Sequence, residues 1–414
     1  MSQGETQGLA ASTDPRVRSL VVKGPPATHR ARFIEQLKKR STHAVVSPAI
    51  QNLAVLLDAD ATLRMDLTEA ICEAQGQGFD LGFSSIEELL PLIATTITQA
   101  PPYDETELVG CPLNGLLDPL MNMTHGYSLF RSPKLNAALK AVLNEWCTFL
   151  SSADSRTYLN SVSPTGWFCP EALTKIDITQ FECNPSAPYY GFASWNGYFT
   201  RLFRPGVRPV TAPNDDKIIV SACEAAPYNT QSNLQLVDQF WMKSQPYSLR
   251  DIFGSKGTQF GPKFVGGDLY QAFLSADNYH RWHAPIRGTI RAAYNLDGTY
   301  YSDTEYGGYD PAGPNDSQGY ITAVAARAVI VIQSVDPAVG LVACVFVGMA
   351  EISSNMVGVA VGQHVEKGDQ LGYFQYGGST HCVIFQPGVI QRFMAQPPFT
   401  APPTQLSTQI AIAN

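Results

Sequence analysis

Apolar positions change their period along this chain. In Ser132-Pro-Lys-Leu-Asn-Ala-Ala-Leu-Lys-Ala-Val-Leu-Asn-Glu-Trp-Cys-Thr-Phe-Leu, the residues Leu135, Leu139, Val142, Trp146 and Leu150 fall on one helical face. Ser132 suits the cap and Pro133 the first turn. Ile86 to Ile97 reads as another amphipathic helix. After about Pro205 the texture turns to strands. Lys217-Ile-Ile-Val-Ser-Ala-Cys is a short apolar run. Gly288 to Tyr301 predicts a strand, an Asp-Gly turn and a second strand. Residues 301–319 read as a long loop, 322–333 and 340–350 as β-branched strands, and 356–388 as short strands between glycine turns. The four prolines of Ala395 to Thr404 exclude regular structure there. The pattern predicts an α+β protein: a flexible lead over residues 1–25, a helical N-terminal domain over 26–180 and a β-rich domain over 181–414.

The composition adds limits. Hydrophobic residues make up 44% of the 414, enough for a sizeable core, so a disordered chain is excluded. The net charge of −8 leaves no basic stripe for nucleic acid and disfavours an anionic membrane surface. Pro337 to Ala350 is the longest uncharged apolar stretch, and its 14 residues fall short of the roughly 17 that span a bilayer. Met1 to Arg16 lacks the apolar core of a secretory signal. The eight cysteines contain no Cys-x-x-Cys, which argues against a zinc site and for reduced thiols. A cytoplasmic protein without a bound metal is the expectation.

Two motifs carry candidate chemistry. In Tyr279-His280-Arg281-Trp282-His283-Ala284-Pro285, two imidazoles stand three residues apart, one able to activate a nucleophile and the other to move a substrate proton. In Gly368-Asp-Gln-Leu-Gly-Tyr-Phe-Gln-Tyr-Gly377-Gly378-Ser379-Thr380, glycines permit a strained backbone beside one hydroxyl. No Gly-Lys-Ser/Thr follows, which excludes a phosphate loop. Each motif alone has a plain structural reading, as packed rings or as a capped glycine turn.

Together, with Phe199-Thr-Arg-Leu-Phe-Arg-Pro-Gly-Val-Arg-Pro upstream, they resemble the phosphatidylserine decarboxylases. The likeness is closer to the soluble fungal branch that includes L-tryptophan decarboxylase. It rests on Phe149 to Arg156, Ala187 to Phe192, Ala222-Cys-Glu, the paired-histidine motif and Gly348-Met-Ala-Glu-Ile-Ser.

The resemblance implies a self-made cofactor. Ser379 attacks the carbonyl of Gly378, the ester eliminates, and a pyruvoyl group replaces the serine. Pyridoxal phosphate is not expected. By the same analogy His283 is the base for Ser379, His280 protonates the product, and Glu224 stands where the lipid enzymes carry a base-orienting aspartate. A salt-bridged carboxylate at a strand end is the competing reading for Glu224. Cleavage gives a β chain of 1–378 and an α chain of 379–414 from one precursor. The implied substrate is a small L-amino acid, aromatic and foremost tryptophan. The alternatives are a phosphatidylserine decarboxylase and a binding protein without chemistry. Oligomeric state, including a homo-oligomer, stays open. His381, two residues past Ser379, reads as packing.

Overall fold

The structure is a computed structural model and describes residues 27–41, 47–103, 111–238, 247–275, 277–304, 317–352, 354–394 and 402–414. The expected lead over 1–25, the middle of the 301–319 loop and most of the proline-rich tail lie outside them. Seven helices open the described chain: α1 (Ala27–Ser41), α2 (Pro48–Ala59), α3 (Ala61–Gly76), α4 (Ile86–Thr96), α5 (Pro112–Met121), α6 (Thr124–Leu129) and α7 (Pro133–Leu150). Their starts follow local chemistry. The hydroxyls of Ser47, Ser85 and Ser132 accept the N–H three residues on, at the heads of α2, α4 and α7. The apolar face foreseen for α7 is buried at all five positions.

The β-rich part holds thirteen strands among the described residues. These are β1 (Ile218–Val220), β2 (Ala226–Ser232), β3 (Asp268–Leu274), β4 (Arg281–His283), β5 (Gly288–Leu296), β6 (Arg327–Ser334) and β7 (Leu341–Gly348). After them come β8 (Ser354–Val357), β9 (His364–Val365), β10 (Gln370–Gln375), β11 (Ser379–Phe385), β12 (Ile390–Phe393) and β13 (Gln409–Ala413). The main sheet runs β2-β3-β11-β7-β6-β5-β9, with small sheets β4-β10-β8 and β1-β13-β12. Strand β11 is central and buried along its whole length, paired in unbroken register with β3 and β7. Its second half, Cys382 to Phe385, is a continuous apolar run buried on both faces, whereas its first three residues, Ser379, Thr380 and His381, are buried polar groups.

The hairpin expected at Asp297-Gly298 does not form. Strand β5 pairs instead with β6 and β9. Beyond β5 the chain leaves the sheet: the Tyr300 N–H donates to Asn136 Oδ1 on α7, and Tyr300 and Tyr301 enter the core of the helical part. Residues 318–324, expected partly as strand, are helical.

The helical core is not closed off from the sheets. It takes in Phe181, Trp195, Tyr198 and Phe199, and reaches Tyr376 just before β11. Tyr376 meets Trp146 of α7 edge-on at 5.2 Å, Trp195 at 4.4 Å and Phe199 at 5.1 Å. Helix α7 therefore buttresses the segment that leads into Gly377-Gly378-Ser379.

Candidate active site

The Gly378–Ser379 bond lies where the small sheet hands the chain to the main one, between the end of β10 and the start of β11. Ser379 is fully buried, and its hydroxyl makes no hydrogen bond. Strand alternation puts Ser379 on the face of His381, Val383 and Phe385. That face is covered by Trp282 of β4 and Phe374 of β10, in one cluster with Phe346 and Leu274. The opposite face carries Thr380, whose hydroxyl donates to the Ala272 carbonyl.

The carbonyl of Gly378 is already held. It accepts the Met349 N–H at 3.0 Å. Attack on this carbonyl would put negative charge on that oxygen, where the Met349 N–H already points. Gly377, at φ +129°, makes the approach feasible: an added Cβ would come within 2.5 Å of the Ala350 oxygen. At Gly378 the nearest atom to an added Cβ is 4.0 Å away.

The two histidines of the motif part company. Strands β4 and β10 run antiparallel, with His283 opposite Gln370 and the His280 carbonyl accepting the Phe374 N–H. His280 therefore stands at the end of β10 that leads to Ser379. His283 stands three residues further along, opposite Gln370, roughly 10 Å away along the strand.

The surroundings of the two rings differ as well. His280 is fully buried, stacked on Phe199 at 4.0 Å and edge-on to Phe374. Burial, with the Arg201 cation nearby, pushes it well below the ordinary imidazole value. It is neutral at pH 7 and available as a base. Arg201 also ties down the preceding loop by donating to the Asp277 and Asn278 carbonyls.

Both nitrogens of His283 are taken. Nδ1 lies 2.7 Å from the Gly368 carbonyl, which only accepts, so Nδ1 carries the proton. Nε2 therefore accepts from the Tyr279 hydroxyl at 3.0 Å. Burial lowers this imidazole too. The Nε2 lone pair of His283 is thus taken up by Tyr279, and the register sets this residue opposite Gln370. His280 is the histidine whose backbone pairs with β10 at the end that leads into Gly378–Ser379.

Glu224 is held by an arginine. Arg208 donates to it in bidentate fashion, both contacts at 2.6 Å, and the Leu406 N–H adds a third at 3.2 Å. Among the described hydrogen bonds it reaches neither histidine, so its geometry is that of the salt-bridged carboxylate. His381 packs between Tyr270 and Phe346, with its pKa pushed down to about 3 by burial. Sequence reasoning missed the Met349 N–H, Arg201 and Glu351. Only the stretches around them, Gly348 to Ser353 and Phe199 to Pro209, carried a signal. No group of three or more metal-ligating side chains occurs among the described residues.

Two family models match the chain, both described as phosphatidylserine decarboxylase, over residues 195–398 and 47–176. Decarboxylase iboD of Amanita muscaria is 37% identical over 67% of this chain and 84% of its own. An L-tryptophan decarboxylase of Psilocybe cubensis is 32% identical over 85% of each. A phosphatidylserine decarboxylase proenzyme of Schizosaccharomyces pombe is 28% identical over 57% of this chain but only 22% of its own. The chain is a decarboxylase, a carboxy-lyase. It belongs to the phosphatidylserine decarboxylase family, on the branch of the fungal L-tryptophan decarboxylases.

Proposed function

We propose that this chain cuts itself at Gly378–Ser379 and then decarboxylates a free aromatic L-amino acid, tryptophan foremost. One observation carries the first half: a buried, unbonded Ser379 hydroxyl stands next to a Gly378 carbonyl that already accepts the Met349 N–H.

In this reading His280, neutral and on the Ser379 side, takes the hydroxyl proton. Ser379 Oγ bonds to the Gly378 carbonyl carbon, His280 returns the proton to the Ser379 nitrogen, and the amide C–N bond breaks, leaving an ester and a free amine. Loss of the Ser379 Cα proton expels the Gly378 carboxylate and leaves a dehydroalanine. Water converts this to a pyruvoyl group and releases ammonia. The pyruvoyl carbonyl supplies the electron sink for decarboxylation. His280, reprotonated in the later reaction, also serves as the proton donor to the product carbon. Glu224 and His283 hold the surrounding turns. The 36 residues from Ser379 onward supply β11, β12 and β13, so the cut leaves both fragments locked in shared sheets.

The relatives named for L-tryptophan support an aromatic substrate. No helix among the described residues is long and apolar enough to cross a membrane.

The test is denaturing mass spectrometry followed by an assay of carbon dioxide release. Wild type should yield a fragment of roughly 4 kDa with a blocked N-terminus, and Ser379→Ala should stay whole. The cut enzyme should release carbon dioxide from L-tryptophan. Release only from phosphatidylserine vesicles would favour the lipid reading, and an uncut wild type would sink self-processing.

A further inference from the structure

The link between β7 and β8 departs from ordinary backbone. Ala350 and Glu351 both adopt left-handed conformations, at φ 31° and 60°. Non-glycine residues held there cost on the order of 1 kcal/mol or more each, so the surroundings must impose the shape. The Ile352 N–H closes the turn on the Ala350 carbonyl at 2.7 Å. This turn is the bed on which the cleavage segment lies: a Cβ on Gly377 would meet both the Ala350 oxygen and, at 3.1 Å, Glu351 Cβ. Its first residue is Met349, the donor to the Gly378 carbonyl.

Glu351 anchors the turn. It is buried, and its Oε1 accepts the Asn114 N–H at 2.8 Å. The Leu113 N–H also favours the charged carboxylate. Both amides belong to the first turn of α5, whose N–H groups have no partner within the helix. A carboxyl of the β-rich part thus caps a helix of the helical part. Its Oε2 makes no hydrogen bond. The titratable groups facing it are Cys111 ahead of α5, Tyr301 after β5 and Tyr376 before the cut.

We propose that Glu351 is a positioning residue for self-cleavage: seated on α5, it fixes the strained turn that aims the Met349 N–H at the Gly378 carbonyl. The helical part is thereby built into the processing machinery. This rests on cleavage at Gly378–Ser379. The protonation state matters because the attack builds negative charge on the oxygen of Gly378, the neighbour of the Gly377 that lies against Glu351. A neutral acid leaves that charge unopposed, and a carboxylate repels it. Burial lifts Glu351 to about 8, so the neutral form prevails at pH 7. Burial also raises Tyr301 and Tyr376, which stay protonated.

The experiment follows cleavage of full-length chain made by cell-free translation, from pH 6 to pH 9.5. Glu351→Ala should cut at least about ten-fold more slowly, part of the 10²–10³ that loss of a whole oxyanion donor costs. Glu351→Gln keeps an acceptor for α5 and stays neutral, so it should cut at a rate near wild type. The wild-type rate should fall above about pH 8, and the Gln rate should not. Equal rates for wild type and Glu351→Ala overturn the proposal alone, as does an alkaline fall retained by Glu351→Gln. If Glu351→Ala fails to fold, the Gln pH profile decides. A wild type that never cuts overturns the proposal together with the reading beneath it.

Discussion

The Met349 N–H donates to the Gly378 carbonyl oxygen at 3.0 Å, across the junction of β7 and β11. This contact needs Gly377 more than Gly378. At Gly377 both the positive φ and the 2.5 Å approach to Ala350 forbid a side chain, whereas Gly378 has room. Gly377→Ala should therefore slow self-cleavage by about ten-fold or more, while Gly378→Ala stays closer to wild type. Gel densitometry of freshly translated chain reads both. Reversed sensitivities would remove the turn from the mechanism.

The two histidines make a sharper contrast. His280 stands at the Ser379 end of β10 as a buried neutral ring, and His283 Nε2 accepts from the Tyr279 hydroxyl. General-base assistance is worth about 10²–10⁴. His280→Asn should lose most of that in the cleavage rate, and His283→Asn much less. Because burial keeps His280 far below 6.5, cleavage should hold its rate from pH 7 down to pH 6. Greater damage from His283→Asn would restore it as the base.

Much of this architecture was legible in the residues, and the remainder depends on tertiary pairing. Helix α7 announced itself because capping, period and buried face all agree locally. Ser379 stood out because glycines crowd one hydroxyl. The Asp297-Gly298 turn misled because β5 finds a better partner in β6, whose apolar run lies 30 residues away. His-x-x-His does not say which ring faces the serine: three residues apart in extended chain puts the rings on opposite sides, and only the β4–β10 register decides. The left-handed pair Ala350-Glu351 has no sequence signature, since neither residue is glycine or asparagine.

Buried neutral imidazoles make stability depend on pH. His280 and His381 have folded pKa values below the unfolded value of about 6.5, that of His381 at about 3. Above pH 6.5 both states are neutral and nothing is lost. Below it the unfolded chain binds protons that the folded chain refuses, so each histidine costs about 1.4 kcal/mol per pH unit. Glu351 works in the opposite sense, losing stability as pH rises from about 4.5 to 8. Two histidines outweigh one glutamate, so the melting temperature of the uncut Ser379→Ala chain should fall from pH 7 to pH 5. Calorimetry showing a flat or rising trend would refute this, and His381→Asn should shallow the slope.

Glu224 supplies the last discrimination. An orienting carboxylate behind a catalytic base is worth about 10⁴ in rate, and the loss appears on amide substitution with the fold intact. A structural ion pair behaves otherwise. Arg208 and Glu224 are 11% and 17% exposed and doubly bonded, so removing the arginine strands a mostly buried charge. Arg208→Ala should cost about 2–4 kcal/mol of stability. Glu224→Gln keeps an oxygen for Arg208 and for the Leu406 N–H, and should cost about 1 kcal/mol while leaving the cleavage rate within about ten-fold of wild type. Urea titration and the cleavage assay on the same preparations separate the two roles. A folded Glu224→Gln chain that cuts thousands of times more slowly would return Glu224 to the catalytic constellation.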